Sequence, residues 1–170
     1  MKNLFLTLLC FPLFLFAQEE EEKKANMYEV INIEVIRGHE DDFEAAVKAH
    51  NEQFHGEGDY SAFLTYNVNG PNGGKYSWIM GPTNWSAMDN RPGEGAHDDD
   101  WKNVDQHVAS YSSPSFWNLS EKLSHIAREA RYPKRLIWMY DIKRGEYARF
   151  SELMGKIKEV YKEKRQDESF

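Results

Sequence analysis

The chain has a single cysteine, Cys10, and it lies inside an apolar run near the N-terminus. Without a second thiol there is no internal disulfide, no CxxC redox pair and no thiolate metal knuckle. Cys–His nucleophilic catalysis is excluded with them, and the serine counterpart G-x-S-x-G is missing as well. Basic residues are in deficit: 21 Lys and Arg stand against 28 Asp and Glu, for a net charge of −7. Nucleic acids and anionic lipid surfaces are therefore poor partners, because gripping them takes clustered cations. No apolar run reaches the ~20 residues that a membrane-spanning helix needs. HExxH and EF-hand spacings are also missing. The Gly-rich stretch Asn69 to Gly74 joins two strand-like segments, so it reads as a hairpin turn and not as a phosphate-cradling loop.

What is present begins with an ordered N-terminus. Lys2 supplies a positive charge, Leu4 to Phe16 an apolar run, Ala17 a small residue, and Gln18 to Lys24 a polar start. That order is the pattern of a cleavable secretory signal. Residues 1–17 are thus expected to be removed on export, leaving a periplasmic or secreted protein with no membrane attachment. Cys10 leaves with the signal, and inside the apolar run it is badly placed for lipidation. Residues 18–26 form a charged, flexible leader, too polar to bury anything. The rest is one domain's length, enough for a real core. Its expected extent is 27–142, with 136–170 supplying a fourth strand and a last helix.

Tyr28 to Ile36 sets Ile31, Ile33 and Val35 on one face, the period of a half-buried strand. From His39 to Phe54 the apolar positions Phe43, Ala46, Val47, His50 and Phe54 recur at three and four, with Glu40, Asp41 and Asp42 in the first turn. This is an amphipathic helix whose acids suit its dipole. Ala62 to Val68 and Tyr76 to Gly81 read as a hairpin around the glycine-rich turn. Pro82 to Pro92 reads as irregular. His97 to Tyr111 and Pro114 to Arg128 read as helices, Leu136 to Ile142 as a fourth strand, and Tyr147 to Lys164 as a last helix. The expected class is α+β: a ferredoxin-like split βαββαβ module, its antiparallel sheet carrying helices on one face, followed by a further helix.

A weak internal repeat sets Ile31 to Phe54 against Trp138 to Tyr161. Arg37-Gly38 falls on Arg144-Gly145, Phe43 on Phe150 and Glu52 on Glu159. Glycine permits the strand-to-helix turn and the aromatic docks the helix on a sheet. The repeat predicts that Leu136 to Lys164 opens a second module whose remainder is not in this chain.

The strand, the Arg-Gly turn, the Phe-bearing helix and the Gly-rich hairpin, Met27 to Gly81, resemble the dimeric α/β-barrel superfamily. Met80-Gly81-Pro82-Thr83 and Asp98-Asp99-Asp100-Trp101 are similar to segments of exported bacterial proteins with two such modules. The resemblance implies self-association through the sheet face. It brings in haem as a cofactor, since some members handle haem and a helix histidine such as His50 serves there; no haem motif accompanies it. Asn84-Trp85 looks like the Asn and Trp of haem-degrading members, but here the two are adjacent.

Two groups of residues could carry chemistry. His97, Asp100 and His107 share a face if one helix is continuous, and could hold a divalent cation. An acidic helix start, with Asp98 to Asp100 at the positive end of the dipole, is the competing reading. His50, Trp78, Trp85, Trp101 and Trp138 could line a pocket for a flat hydrophobic ligand; ordinary core and dimer packing would explain the same residues. His55 lies five residues past His50, across Phe54. The expected function is a small exported module that binds a hydrophobic ligand or a protein partner, with a haem-handling or oxygenase-like enzyme as the alternative.

Overall fold

The structure is a computed structural model that describes residues 25–91, 93, 95–127 and 134–170. The expected signal peptide, 1–17, and most of the leader lie outside the described residues, as does Arg128. Among the described residues no helix is long and apolar enough to cross a membrane.

The β-branched alternation of the first segment becomes strand β1, Met27–Val35, and the amphipathic segment after it becomes helix α1, Glu40–Phe54. The hairpin forms as expected: β2, Ala62–Tyr66, runs antiparallel to β3, Tyr76–Thr83, with Leu64 opposite Trp78. β3 then pairs antiparallel with β1, Ile31 opposite Trp78 and Ile33 opposite Tyr76. The segment expected to be irregular contains a short helix, α2, Trp85–Asp89, capped by the Asn84 side chain on the Ala87 amide.

The fourth strand is not Leu136 to Ile142. Helix α3 covers only Ala96–Asp105, and the chain then runs as β4, Val108–Tyr111, and β5, Ser115–Asn118. Both pair antiparallel with the edge of β1 that β3 leaves free: Val35 meets Val108, Ile33 meets Tyr111, and Met27 meets Asn118. The sheet order β2-β3-β1-β4, with β5 continuing along β1, is the ferredoxin-like arrangement. The expected helices 97–111 and 114–128 fail for a tertiary reason. Strands this short are decided by an available edge and not by their own periodicity.

Leu136 to Ile142 meets the opposite fate. Its sequence is the strand pattern of the chain, yet it forms no strand, and both edges of β1 are taken. Leu136 is 74% exposed, Trp138 69% and Met139 67%. Beyond it, helix α4, Tyr147–Lys164, forms where expected but buries no residue. The repeated turn itself is reproduced. Gly38 and Gly145 have φ of 89° and 88°. The amides of His39 and Glu146 reach back to Ile36 and Lys143 at 2.9 and 3.0 Å. The turn recurs; the packing around it does not. Chymotrypsin should therefore cut after Trp138, Met139 or Tyr140 before any site within 27–118. Mass spectrometry of a timed digest checks this, and first cuts inside the sheet would contradict it.

The core lies between the sheet and the helices α1 and α3. Ile33, Phe43, Val47, Tyr76, Trp78, Met80 and Val104 are its buried residues. Phe43 and Val47 come from the α1 stripe and Val104 from α3, so the sheet's helix-facing side is covered by one apolar stripe from each. On the opposite face, the Arg135 guanidinium lies 5.1 Å over the Phe63 ring.

Candidate functional site: a histidine cluster at the end of a tryptophan-walled pocket

His50 follows Phe43 and Val47 on the buried stripe of α1, so the spacing that docks the helix also drives an imidazole into the interior. His55 is the residue after the helix end, its amide on the Asn51 carbonyl. His97 stands in the first turn of α3, which packs across α1. The three rings gather: His50 and His97 centroids are 4.8 Å apart, His50 and His55 5.2 Å, His55 and His97 5.3 Å. Trp101, one helical turn beyond His97, stands edge-on to His50 at 4.7 Å, and Trp78 edge-on to His55 at 5.1 Å.

Each Nδ1 has an acceptor. His50 Nδ1 lies 2.8 Å from Asp100 Oδ2, His55 Nδ1 2.6 Å from the Tyr60 carbonyl oxygen, and His97 Nδ1 2.8 Å from Asp98 Oδ1. A carbonyl only accepts, and so does an ionised carboxylate, so in each ring the Nδ1 carries the proton and donates it. The Nε2 atoms are left with lone pairs. His55 Nε2 and His97 Nε2 are 3.2 Å apart. His50 Nε2 is buried with no hydrogen-bond partner among the described residues. Burial pushes the His55 imidazolium down to about 4, against the opposing pull of the Tyr60 carbonyl. It lowers that of His50 as well, against the Asp100 hydrogen bond. Both rings are therefore neutral near pH 7.

Beside the cluster opens a cavity of about 310 Å³, lined by Ile31, Ile33, Trp78, Trp101, Tyr111 and Arg91 and also by His55 and His97. Trp78 and Trp101 stand edge-to-face at 5.7 Å, and their indole N–H groups donate to Asn51 Oδ1 at 3.0 Å and to the Tyr111 hydroxyl at 3.1 Å. Tyr111 in turn donates to Asp105 at 2.5 Å. The Arg91 guanidinium lies 2.8 Å from Glu29 Oε2, whose side chain is almost fully buried. A larger, shallower groove of about 720 Å³ runs along α1 and β2, bordered by Asp41, Glu44 and Lys48. Its charges sit on the solvent face of α1, so the chemistry concentrates in the smaller cavity.

The structure sorts the residues singled out in the sequence. His50, Trp78, Trp101, His97 and Asp100 come together, with Asp100 accepting from His50. His107 does not join them. The helix stops at Asp105, so its face does not extend to residue 107; His107 stands instead with His39, their Nδ1 atoms 3.1 Å apart. Trp85 is exposed and packs on Phe116 at 5.1 Å, and Trp138 is exposed and stacks on Tyr140 at 6.4 Å; neither lines the cavity. Sequence reasoning left Arg91, Tyr111 and Ile31 out of the pocket and His55 out of the cluster. Only His55 carried a signal, its position five residues past His50 at the helix end.

The residues do not fit haem. The free nitrogen of His50 is fully enclosed, between two other histidines and Trp101, and offers no clear slot for the face of a macrocycle. Asn84 is spent on capping α2.

No family model matches the chain, and no curated protein does. Among solved structures it is similar to one from Bordetella bronchiseptica, provisionally described as an antibiotic biosynthesis monooxygenase. The identity is 21% and the TM-score 0.44, over 56% of this chain and 98% of that one.

Proposed function

We propose that the protein, once exported, binds a small, flat, largely apolar molecule in the cavity between the sheet and α3. The observation that carries this is the distribution of its lining. Ile31, Ile33, Trp78 and Trp101 supply the apolar walls, and His55, His97, Arg91, Tyr111 and Ser112 the few polar groups. Ligand pockets share that design, apolar walls for affinity and a few polar groups for orientation, and at about 310 Å³ this one lies at the small end of their range. The indole N–H groups are already satisfied by Asn51 and Tyr111, so the rings present apolar surface to a ligand.

The test is quenching of tryptophan fluorescence by 1-naphthol, run in chelator. Trp101→Ala should weaken binding about tenfold, the ~1.4 kcal/mol that an aromatic wall contributes. Trp85→Ala, on the exposed helix α2, should leave it unchanged. Equal affinities for the two variants, both folded by circular dichroism, would remove the pocket from consideration.

A further inference from the structure

We infer that His50, His55 and His97 hold one divalent first-row transition-metal ion through their Nε2 atoms, with a further coordination position open toward the tryptophan-walled pocket. This deepens the pocket reading, and rests on it for what lies beyond the ion.

Three imidazoles close together in a protein interior usually share hydrogen bonds, one ring's N–H reaching another's lone pair. Here that arrangement is closed off, because Asp100, the Tyr60 carbonyl and Asp98 each take the Nδ1 proton. His55 Nε2 and His97 Nε2 then face each other at 3.2 Å as two lone pairs with no proton to put between them. The third, His50 Nε2, is fully buried and has no partner among the described residues. Leaving a buried acceptor unsatisfied is costly, and opposed lone pairs add to the cost. One cation would satisfy all three nitrogens at once. One ring nitrogen from each histidine lies within 4.8 Å of the others. With metal–nitrogen bonds of about 2.0–2.1 Å, ligands on a tetrahedral ion stand about 3.3 Å apart. The His55–His97 separation is already there, and His50 offers a ring nitrogen within 4.8 Å of both.

The surroundings also fit. Metal-bound histidines characteristically pass their other N–H to a carboxylate or a backbone carbonyl, which fixes the tautomer and raises the basicity of the ligand. All three do so here, to two aspartates and one carbonyl. Asp98 and Asp100 place two negative charges behind the ion, and the nearby cation Arg91 is drawn to Glu29. A set of three imidazole nitrogens with no thiolate suits Zn²⁺, Cu²⁺, Co²⁺ or Fe²⁺ and not Mg²⁺ or Ca²⁺, which prefer oxygen. Three protein ligands in place of four is the pattern of a site that keeps room for an exogenous donor. Because His55 and His97 line the cavity as well, that position faces the pocket. An oxygen donor on the pocket's ligand would complete the coordination.

A second group, His39, Asp42 and His107, also brings three donor atoms within 4.8 Å. It differs in that Asp42 is exposed, the two histidines are only half-buried, and their tautomers are not fixed by other acceptors, so one Nδ1–H can donate to the other ring's Nδ1 at 3.1 Å. It serves as the internal control.

The experiment is titration of the purified, metal-stripped protein with Co²⁺ alone, no pocket ligand present, read by the visible ligand-field bands of low-coordinate cobalt. Wild type should bind one ion per chain with those bands. His97→Ala and His55→Gln should each lose at least about 100-fold in affinity. Asp100→Asn, which touches only a ligand, should lose about 10- to 100-fold. His107→Ala should behave as wild type. Zn²⁺ should displace the cobalt and raise the melting temperature of wild type but not of His97→Ala. That comparison shows whether a variant is folded but metal-free. Wild type without bands, or bands lost in His107→Ala and kept in His97→Ala, would overturn the assignment. Binding of 1-naphthol in chelator reads the pocket independently, so failure of the metal site and failure of the pocket look different.

Discussion

Replacing Phe43 with alanine should destabilise the protein by about 3–5 kcal/mol, read as a shift of the urea midpoint with the slope unchanged. Phe43 is fully buried, its ring 5.0 Å from that of Tyr76, and it is the residue that seats α1 on β3. The core has few large members, so a single truncation removes a sizeable part of the marginal stability typical of a domain. The internal comparison is Phe150→Ala. Phe150 occupies the same place in the repeated Arg-Gly pattern, but α4 buries no residue and the nearest ring, Tyr140, is 6.3 Å away and itself exposed. That change should cost under about 1 kcal/mol. Equal costs for the two would mean that α4 is buried in solution against something else. The same five-residue spacing from glycine to phenylalanine would thus have opposite energetic weight in its two copies.

Gly81→Ala should be of comparable severity, about 3 kcal/mol or more, for a backbone reason. Gly81 has φ of +140°, and a Cβ there would lie 2.6 Å from the Met27 carbonyl oxygen and 3.0 Å from the Tyr28 ring. The first neighbour is backbone of the paired strand, which cannot swing aside as a side chain would. Gly81 is also held on the other side, its amide on the Ser61 carbonyl at 2.8 Å and its carbonyl accepting from Ser61 Oγ at 3.1 Å. β1 must therefore separate from β3 at the Met27–Thr83 end, or β3 from β2. Hydrogen exchange should show the amides near Met27 and Ser61 opening first. Gly145→Ala is the counterpart: φ is +88° but nothing lies within 4 Å, so only the left-handed conformation is penalised, by about 1–2 kcal/mol.

These contrasts show what the chain reveals of itself and where it stops. β1, α1 and the hairpin are legible because each has a period of its own, the Ile31, Ile33 and Val35 alternation or the Phe43, Val47 and His50 stripe. The fourth strand was hidden in Val108–Tyr111 and Ser115–Asn118, two four-residue pieces too short to show a period, whose state is decided by the free edge of β1. Leu136 to Ile142 carries a stronger strand signal and forms no strand, since strand pairing needs two parties. The site divides along the same line. His50 declared itself by its place on an apolar stripe, and His97 and Asp100 by their spacing. The pairing of His97 with His50 and His55 depends on α3 crossing α1, a contact between elements about fifty residues apart. His107 was misjudged because nothing local marks the helix end at Asp105. Arg91 could be placed only once Glu29 was known to be buried.

The broken outer edge of the sheet has a consequence for how the protein behaves in a crowd. Between β4 and β5 the ladder on β1 is interrupted. The amide of Asn32 donates to the Ser112 hydroxyl at 2.9 Å in place of a carbonyl, and Pro114, which has no N–H, follows two residues later. A neighbouring chain seeking to zip onto this edge would find two four-residue runs at an offset, with a gap that offers no regular row of donors. An unbroken, exposed edge is a template for fibril growth, and short, kinked edges are how proteins refuse that role. The irregularity that concealed this strand from its own sequence also keeps this edge of the sheet from recruiting strangers.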